Sequence, residues 1–224
     1  MNKTRSECRS DRAASQDAHA DSRKPLVVGL AGGSAAGKSA VAAILRDLGA
    51  IVLDADRIAH EVLRSPEVVS EIRNAWTEDV FDAAGRPNRG RIARLVFDRP
   101  EKLKQLNDWI HPRVRRIVRH ELDEALRAAD APLIVIDAPL LIEGKLDAWC
   151  DRILFVEAAP DVRAARARRE RDWDDEELAR REARQEPLER KRRAADAVVE
   201  NNGRLDDLRA QVERQITELL HSHD

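Results

Sequence analysis

Tyrosine is absent from the 224 residues, aromatic side chains make up only 3% of them, and there are two cysteines. Cys8 and Cys150 form neither a CxxC pair nor a disulfide framework, which excludes a cystine-stapled secreted scaffold and fits a reducing compartment such as the cytoplasm. An excess of one charge is missing as well. Forty Lys and Arg stand against 42 Asp and Glu, a formal net charge of −2, so no global field draws the chain to nucleic acid or to a membrane surface. Small molecules are the expected partners, and the chain is expected to act as a monomer or weak homo-oligomer. Long hydrophobic runs are lacking too: the longest, Leu133 to Ile142, is broken by Asp137 and by proline, well short of the roughly 20 residues that cross a bilayer. Residues 1–24 have neither apolar periodicity nor the hydrophobic centre of a secretory signal, and Glu7, Asp11, Asp17 and Asp21 argue against a transit peptide. That extension is expected to be disordered, leaving 25–224 as one domain.

What is present is a phosphate-binding loop. Gly32-Gly33-Ser34-Ala35-Ala36-Gly37-Lys38-Ser39 has the form glycine, four residues, Gly-Lys-Ser. An apolar run, Leu26 to Leu30, precedes it, and Val41, Ile44, Leu45 and Leu48 follow at helical spacing, so the loop joins a buried strand to an amphipathic helix. Its glycines let backbone N–H groups turn around a phosphate, and the helix N-terminus, running into Ser39 and Ala40, adds partial positive charge. Lys38 is placed to reach the β- and γ-phosphates of a nucleoside triphosphate, and the Ser39 hydroxyl to ligate its Mg²⁺.

Gly49 then stops the helix, and Ala50 to Leu53 reads as a second buried strand ending at Asp54-Ala55-Asp56. Carboxylates at a strand's C-terminal end face the ligand crevice of an open α/β sheet. One of these is therefore a candidate to accept a proton or hold the metal through water, and the other to cap the following helix. From Pro66 to about Ala129 the pattern is helical, with a long helix expected to open after His111-Pro112. This stretch exceeds a simple crossover and suits a wall for a second substrate, with Arg89, Arg91, Arg94, Arg113, Arg115 and Arg116 as candidate phosphate contacts. Leu133 to Asp137 is an apolar strand ending in a carboxylate, and Asp137 is the candidate to complete the Mg²⁺ shell. Further strands are expected at 152–156 and 197–200. Between them, 161–193 reads as two charged helices broken at Asp172-Trp173-Asp174, whose arginines suit a lid over a triphosphate. With a closing amphipathic helix from Leu205 to Leu220, the fold class is α/β: a five-stranded parallel sheet with helices on both faces.

The ordered set of motifs resembles the dephospho-coenzyme A kinases over about residues 26–220. Its pieces are the 29–39 loop, Asp-Ala-Asp at 54–56, Ile-His-Pro at 110–112, Asp-Ala-Pro-Leu-Leu-Ile-Glu at 137–143, Gln-Glu-Pro-Leu-Glu-Arg-Lys-Arg at 185–192 and Asn-Asn-Gly at 201–203. The resemblance implies a three-layer P-loop NTPase fold with a helical acceptor-binding insertion (about 66–129) and a helical lid (about 161–193). It implies ATP with Mg²⁺ and transfer to a ribose 3′-hydroxyl. It makes Asp56 the catalytic base beside Lys38, puts Arg89, His111 and Pro139 in the acceptor pocket, assigns Arg168 and Arg171 to the lid, and sets Asn201, Asn202 and Gly203 beside adenine. Two departures stand out: Ser34-Ala35-Ala36 replaces a more usual Ile-Gly-Ser, one glycine fewer, and Ile142 replaces a phenylalanine. A GTP-dependent switch would share the P-loop, but the guanine-reading Asn-Lys-x-Asp is missing and the Asp-x-x-Gly at Asp82 to Gly85 lies in a turn-rich stretch. Other small-molecule kinases, which share the core, lid and carboxylate, are the nearer alternative.

Overall fold

Alternation along the strands sorts the apolar side chains into two layers. The computed structural model describes residues 24–77, 79–97 and 99–223, and, Lys24 apart, the extension over 1–24 lies outside them. Strand β1 (Leu26–Gly32) is buried along its whole length. Leu26, Val28 and Leu30 join one core with α1 (Lys38–Asp47) and α9 (Leu205–His221). Val27 and Ala31 join the other, with α2 (Ala55–Leu63), α3 (Pro66–Ala75), α4 (Arg89–Phe97) and α5 (Pro100–Ala128). Strand β3 (Leu133–Asp137) splits in the same way, with Leu133 and Val135 on one face and Ile134 and Ile136 on the other. A period of two between two helical layers is what a sheet covered on both faces requires.

The sheet has five strands in the order β2-β3-β1-β4-β5, with β2 at Ile51–Asp54, β4 at Arg152–Glu157 and β5 at Ala197–Glu200, and every pairing is parallel. The register sets Asp54 opposite Asp137, and Asp137 opposite Leu30 of β1. The C-terminal ends of β2, β3 and β1 therefore lie side by side, at the sheet edge where ligand crevices open.

Two expectations about helices are corrected. The helix expected to start after His111-Pro112 is instead the middle of α5, which runs unbroken from Pro100 to Ala128. Pro112 removes the N–H that would meet the Asp108 carbonyl, yet it faces solvent, and Arg113 Nη1 donates to the Trp109 carbonyl across the same turn at 2.7 Å. Leu106, Val114, Val118 and Leu122 are buried in one core, and that packed stripe outweighs the single lost bond. The second corrected expectation is the helix after Trp173. It is two, α7 (Asp175–Glu182) and α8 (Leu188–Arg193), because Pro187 supplies an extended N-cap at φ −50, ψ 136 and begins a new helix. The break before them falls as expected: α6 (Pro160–Arg171) ends on Asp172 in a left-handed conformation, and Asp174 caps α7 by accepting from the Glu177 amide at 2.7 Å.

Replacing Pro112 by alanine restores an amide donor inside α5 at a solvent-facing position. Pro112→Ala is expected to stabilise the fold by about 1–3 kcal/mol, read as a rise in Tm; a lower Tm would show that the pyrrolidine ring itself is packed.

Candidate active site

The loop from Gly33 to Gly37 turns the end of β1 into α1 and forms the floor of a cavity of about 770 Å³. Gly37 is needed there twice over: its φ is +93°, and a Cβ would come within 2.0 Å of Asn201 Nδ2. It caps α1 with no side-chain hydrogen bond, and the first turn of that helix carries no acidic residue. The positive end of the helix therefore faces the cavity with no carboxylate in its own first turn to offset it, the arrangement that attracts phosphate. Ala35 bears a side chain in a left-handed conformation, φ +57°, which costs about 1–2 kcal/mol relative to glycine. Its methyl packs with Ala167 of α6 and Leu178 of α7.

Lys38 and the strand-end carboxylates Asp54, Asp56 and Asp137 line the same cavity, with Glu170 of α6 as a fourth carboxylate on the lid side. Lys38 Nζ donates to the carbonyls of Gly32 and Gly33 at 3.2 and 3.3 Å. Loss of water lowers its pKa, and the nearby Asp137 charge works against that. Burial pushes Asp137 up to about 6, opposed by Lys38 and reinforced by the negative charges of Asp54 and Asp56. Asp56 stays accessible from the cavity, yet crowding by protein atoms and then the Asp54 charge raise its pKa, while His60, Lys38 and Arg89 counter. Asp54 itself caps α2, accepting from the Arg57 amide at 2.9 Å. A carboxylate with a raised pKa beside a phosphate-binding loop can take up a proton, and the lysine can neutralise charge developing on a phosphate.

The P-loop residues Gly33 to Ala40, with Asp56, Arg89, Asp137, Pro139, Arg171 and Gly203, all line this cavity. Gly32 stands behind it as the last residue of β1. Arg168 does not reach the cavity: it is exposed, and one guanidinium nitrogen contacts both oxygens of Asp175 at 2.6 and 2.5 Å. Nor does Asn202, whose side-chain oxygen accepts from the Ala159 amide at 2.7 Å and fixes the start of α6. Of that expected stretch, Asn201 and Gly203 are the residues that face the cavity. Asn201 is buried and donates to the Ala36 carbonyl at 2.9 Å, while Arg166 bonds to both Ala36 and Asn201. Arg181 and Arg184 also line the cavity without having been singled out from sequence. Nothing in a run of alternating charges marks which arginine faces inward; only the helix phase relative to Ala35, Ala167 and Leu178 does. Lys191, fully buried, was likewise unmarked. Its Nζ reaches Glu143 at 2.9 Å, Gln185 at 3.0 Å and the Pro139 carbonyl at 3.4 Å. Gln185 in turn donates to Ser34 Oγ at 3.4 Å, tying the loop after β3 to the P-loop.

A second cavity, of about 530 Å³ and largely apolar, adjoins the first. Asp56 and Pro139 line both. Its other walls include Ile110, His111, Val114 and Arg115 from α5 and Glu143 to Leu146 from the loop after β3. His111 thus faces the second cavity from mid-helix; its ring stays accessible, yet crowding by protein atoms lowers its pKa, and the Asp108 charge works against that. Of the remaining candidate arginines, Arg91 pairs with Asp79 and Arg113 with Glu71, while Arg115 donates to the Gly144 carbonyl and stacks over Trp149.

Comparison with known proteins points one way. The family model described as dephospho-CoA kinase matches residues 26–207. A dephospho-CoA kinase of Chlorobaculum tepidum is 39% identical over 203 residues, covering 88% of this chain and 97% of its own. That of Geobacillus kaustophilus is 37% identical over 188 residues, covering 84% and 93%. A crystal structure from Thermus thermophilus superposes with a TM-score of 0.73 at 36% identity, over 88% of this chain and 99% of that one. The dephospho-CoA kinase from Campylobacter jejuni shares the fold, with a TM-score of 0.67 at 20% identity over 88% and 98%.

The raised pKa of Asp137 has a consequence for stability. Because its folded-state value lies near 6, above the ordinary 3.8, the folded protein prefers the proton. The ionised group costs nothing below about pH 3.8, increasingly more up to pH 6, and its full penalty above. Asp137→Asn is expected to raise Tm by about 5 °C at pH 7–8, with the gain vanishing near pH 4. A gain of equal size at every pH would show that charge is not its cause.

Proposed function

Since the chain belongs to the dephospho-CoA kinase family and catalyses the last step of coenzyme A biosynthesis, we propose that phosphoryl transfer from ATP to the ribose 3′-hydroxyl takes place where its two cavities meet. The observation that carries this reading is that Asp56 and Pro139 line both cavities. The polar cavity over the P-loop suits a triphosphate, and the more apolar one suits the rest of a long acceptor whose reacting hydroxyl must lie at the junction. The stretch 66–129 serves as the acceptor-binding insertion and 161–193 as the lid, within one kinase domain over 25–224.

Asp56 acts as the base. Its carboxylate takes the proton of the 3′-hydroxyl as that oxygen bonds to the γ-phosphorus, and the bond from γ-phosphorus to the β,γ-bridging oxygen breaks to release ADP. In a loose transition state the acceptor needs mainly alignment and relief of its proton. Arg89, which stabilises the ionised form of Asp56, and His111 orient the acceptor. Lys38 and the amides from Gly33 to Ser39 neutralise the phosphates, joined from the lid side by Arg171 and Arg181. Asn201 and Gly203, rather than Asn202, border the adenine.

Mg²⁺ fits the residues present. Ser39 and Asp137 offer hard oxygen donors, and the mutual repulsion of Asp54, Asp56 and Asp137 would be relieved by a cation. Among the described residues no cluster of three or more His, Cys, Asp or Glu forms a cage by itself, as expected of an ion that keeps waters and shares phosphate oxygens. Ser39 and Asp137 would hold it, and when bound it neutralises charge on the phosphates. No helix among the described residues is long and apolar enough to cross a membrane, and a cytoplasmic location completes the proposal.

The test compares ATP turnover with dephospho-coenzyme A against a panel of nucleosides and nucleoside monophosphates. Turnover confined to dephospho-coenzyme A supports the reading; preference for a nucleoside overturns it. In the same assay Asp56→Asn, which keeps shape while removing the base, is expected to lower kcat by about 10²-fold or more with KM for ATP little changed. If Asp54→Asn were the damaging change and Asp56→Asn harmless, the two roles would be exchanged.

A further inference from the structure

The turn between α6 and α7 carries an indole at the rim of the nucleotide cavity. Trp173 lines that cavity and is partly buried. Its position is set from both sides. Its own amide donates to the Ala167 carbonyl at 3.2 Å, Asp172 before it holds a left-handed φ of +54°, and Asp174 after it caps α7. The guanidinium carbons of Arg171 and Arg181, one from each side of the turn, lie 4.8 and 4.0 Å from the ring centroid. Both arginines line the same cavity as Lys38. The ring also packs against the small cluster of Ala35, Ala167 and Leu178, so it touches the apolar seat where the P-loop meets the lid helices.

An arginine stacked by its face differs from one held by a carboxylate. Stacking leaves the N–H edge and the full positive charge available to phosphoryl oxygens, whereas a carboxylate takes both. Arg168 shows the second case, with its guanidinium spent on Asp175. Arg171 shows the first: among the described residues it makes no ion pair, and the ring of Trp173 is its partner. Arg181 is intermediate, since its Nε also donates to Glu177 at 2.7 Å while its face lies on the ring.

We propose that Trp173 is a positioning residue for phosphoryl transfer: its ring holds Arg171 and Arg181 toward the triphosphate and seats their helices on the Ala35 methyl. Donors ordered before the transition state need no reorganisation when charge develops there, so the effect belongs in kcat rather than in acceptor binding. The inference rests on the kinase reading above, and wild-type turnover of dephospho-coenzyme A tests that reading separately.

The experiment is a mutant cycle on the full chain, with ATP and dephospho-coenzyme A as substrates. Trp173→Leu keeps an apolar side chain but no aromatic face, and is expected to lower kcat about five- to tenfold with KM for dephospho-coenzyme A within about twofold of wild type. Trp173→Phe is expected to recover at least about half of kcat. Combined with Arg171→Ala and Arg181→Ala, the Trp173→Leu change should cost less than about twofold more, because the groups it positions are gone. An equal loss in that background, no loss from Trp173→Leu alone, or a Phe variant as poor as Leu would each overturn the proposal. If the Leu variant does not melt cooperatively, Trp173→Met takes its place in the cycle. Absence of wild-type turnover would overturn the kinase reading, and this inference with it.

Discussion

The parallel register of β2, β3 and β1 is the constraint on which the site depends. Pairing Asp54 with Asp137, and Asp137 with Leu30 two residues before the P-loop begins, brings carboxylates from two strands beside the lysine that opens α1. A slip of one residue would turn each of these side chains to the other face. Such a slip is prevented by the cores, since the same residues alternate between two fully covered layers. Packing energy across the whole sheet thus holds a carboxylate where it is locally unfavourable, as the raised pKa of Asp137 records: burial is its main cause, and the charges of Asp54 and Asp56 add to it.

The second organising feature is how the P-loop is braced. Asn201 from the end of β5 and Arg166 from α6 both bond the Ala36 carbonyl, and Ser34 is tied through Gln185 to the buried Lys191. The Gln-Glu-Pro-Leu-Glu-Arg-Lys-Arg stretch therefore has a physical role at both ends. Glu143 takes the Glu186 amide at 2.6 Å and the Lys191 ammonium at 2.9 Å, so the loop after β3, which lines the acceptor side, is joined to the loop that holds phosphate. Truncating either partner of that buried pair would leave an uncompensated charge. The left-handed Ala35 belongs to the same design, because its methyl supplies a seat for α6 and α7 that a glycine would lack.

Local chemistry made much of this legible in advance. Continuous apolar runs ending in aspartate mark β2 and β3, the spacing of glycines with Lys38 and Ser39 marks the phosphate loop, and the left-handed turn at Asp172 lies where charge periodicity breaks. Helix continuity through Pro112 was not legible. A proline with its neighbours is a strong local stop, and only a stripe of buried residues from Leu106 to Leu122 overrides it. That Asn202 and Arg168 turn away from the cavity while Arg181 and Arg184 face it was hidden for a related reason: neighbouring polar residues differ only in the direction that backbone geometry gives them.

By itself, then, the sequence determined the fold class, the order of the strands along the chain, the nucleotide loop and the pair Asp54 and Asp56, because each rests on contacts or conformational preferences within a few residues. The tertiary structure decided the rest. Which carboxylates stand together, how the pKa values of Asp56 and Asp137 are raised, where two cavities share a wall at Asp56 and Pro139, and which arginines face inward depend on segments far apart in the chain. Long-range electrostatics and burial act through distances in space, and those exist only once the sheet has set its register.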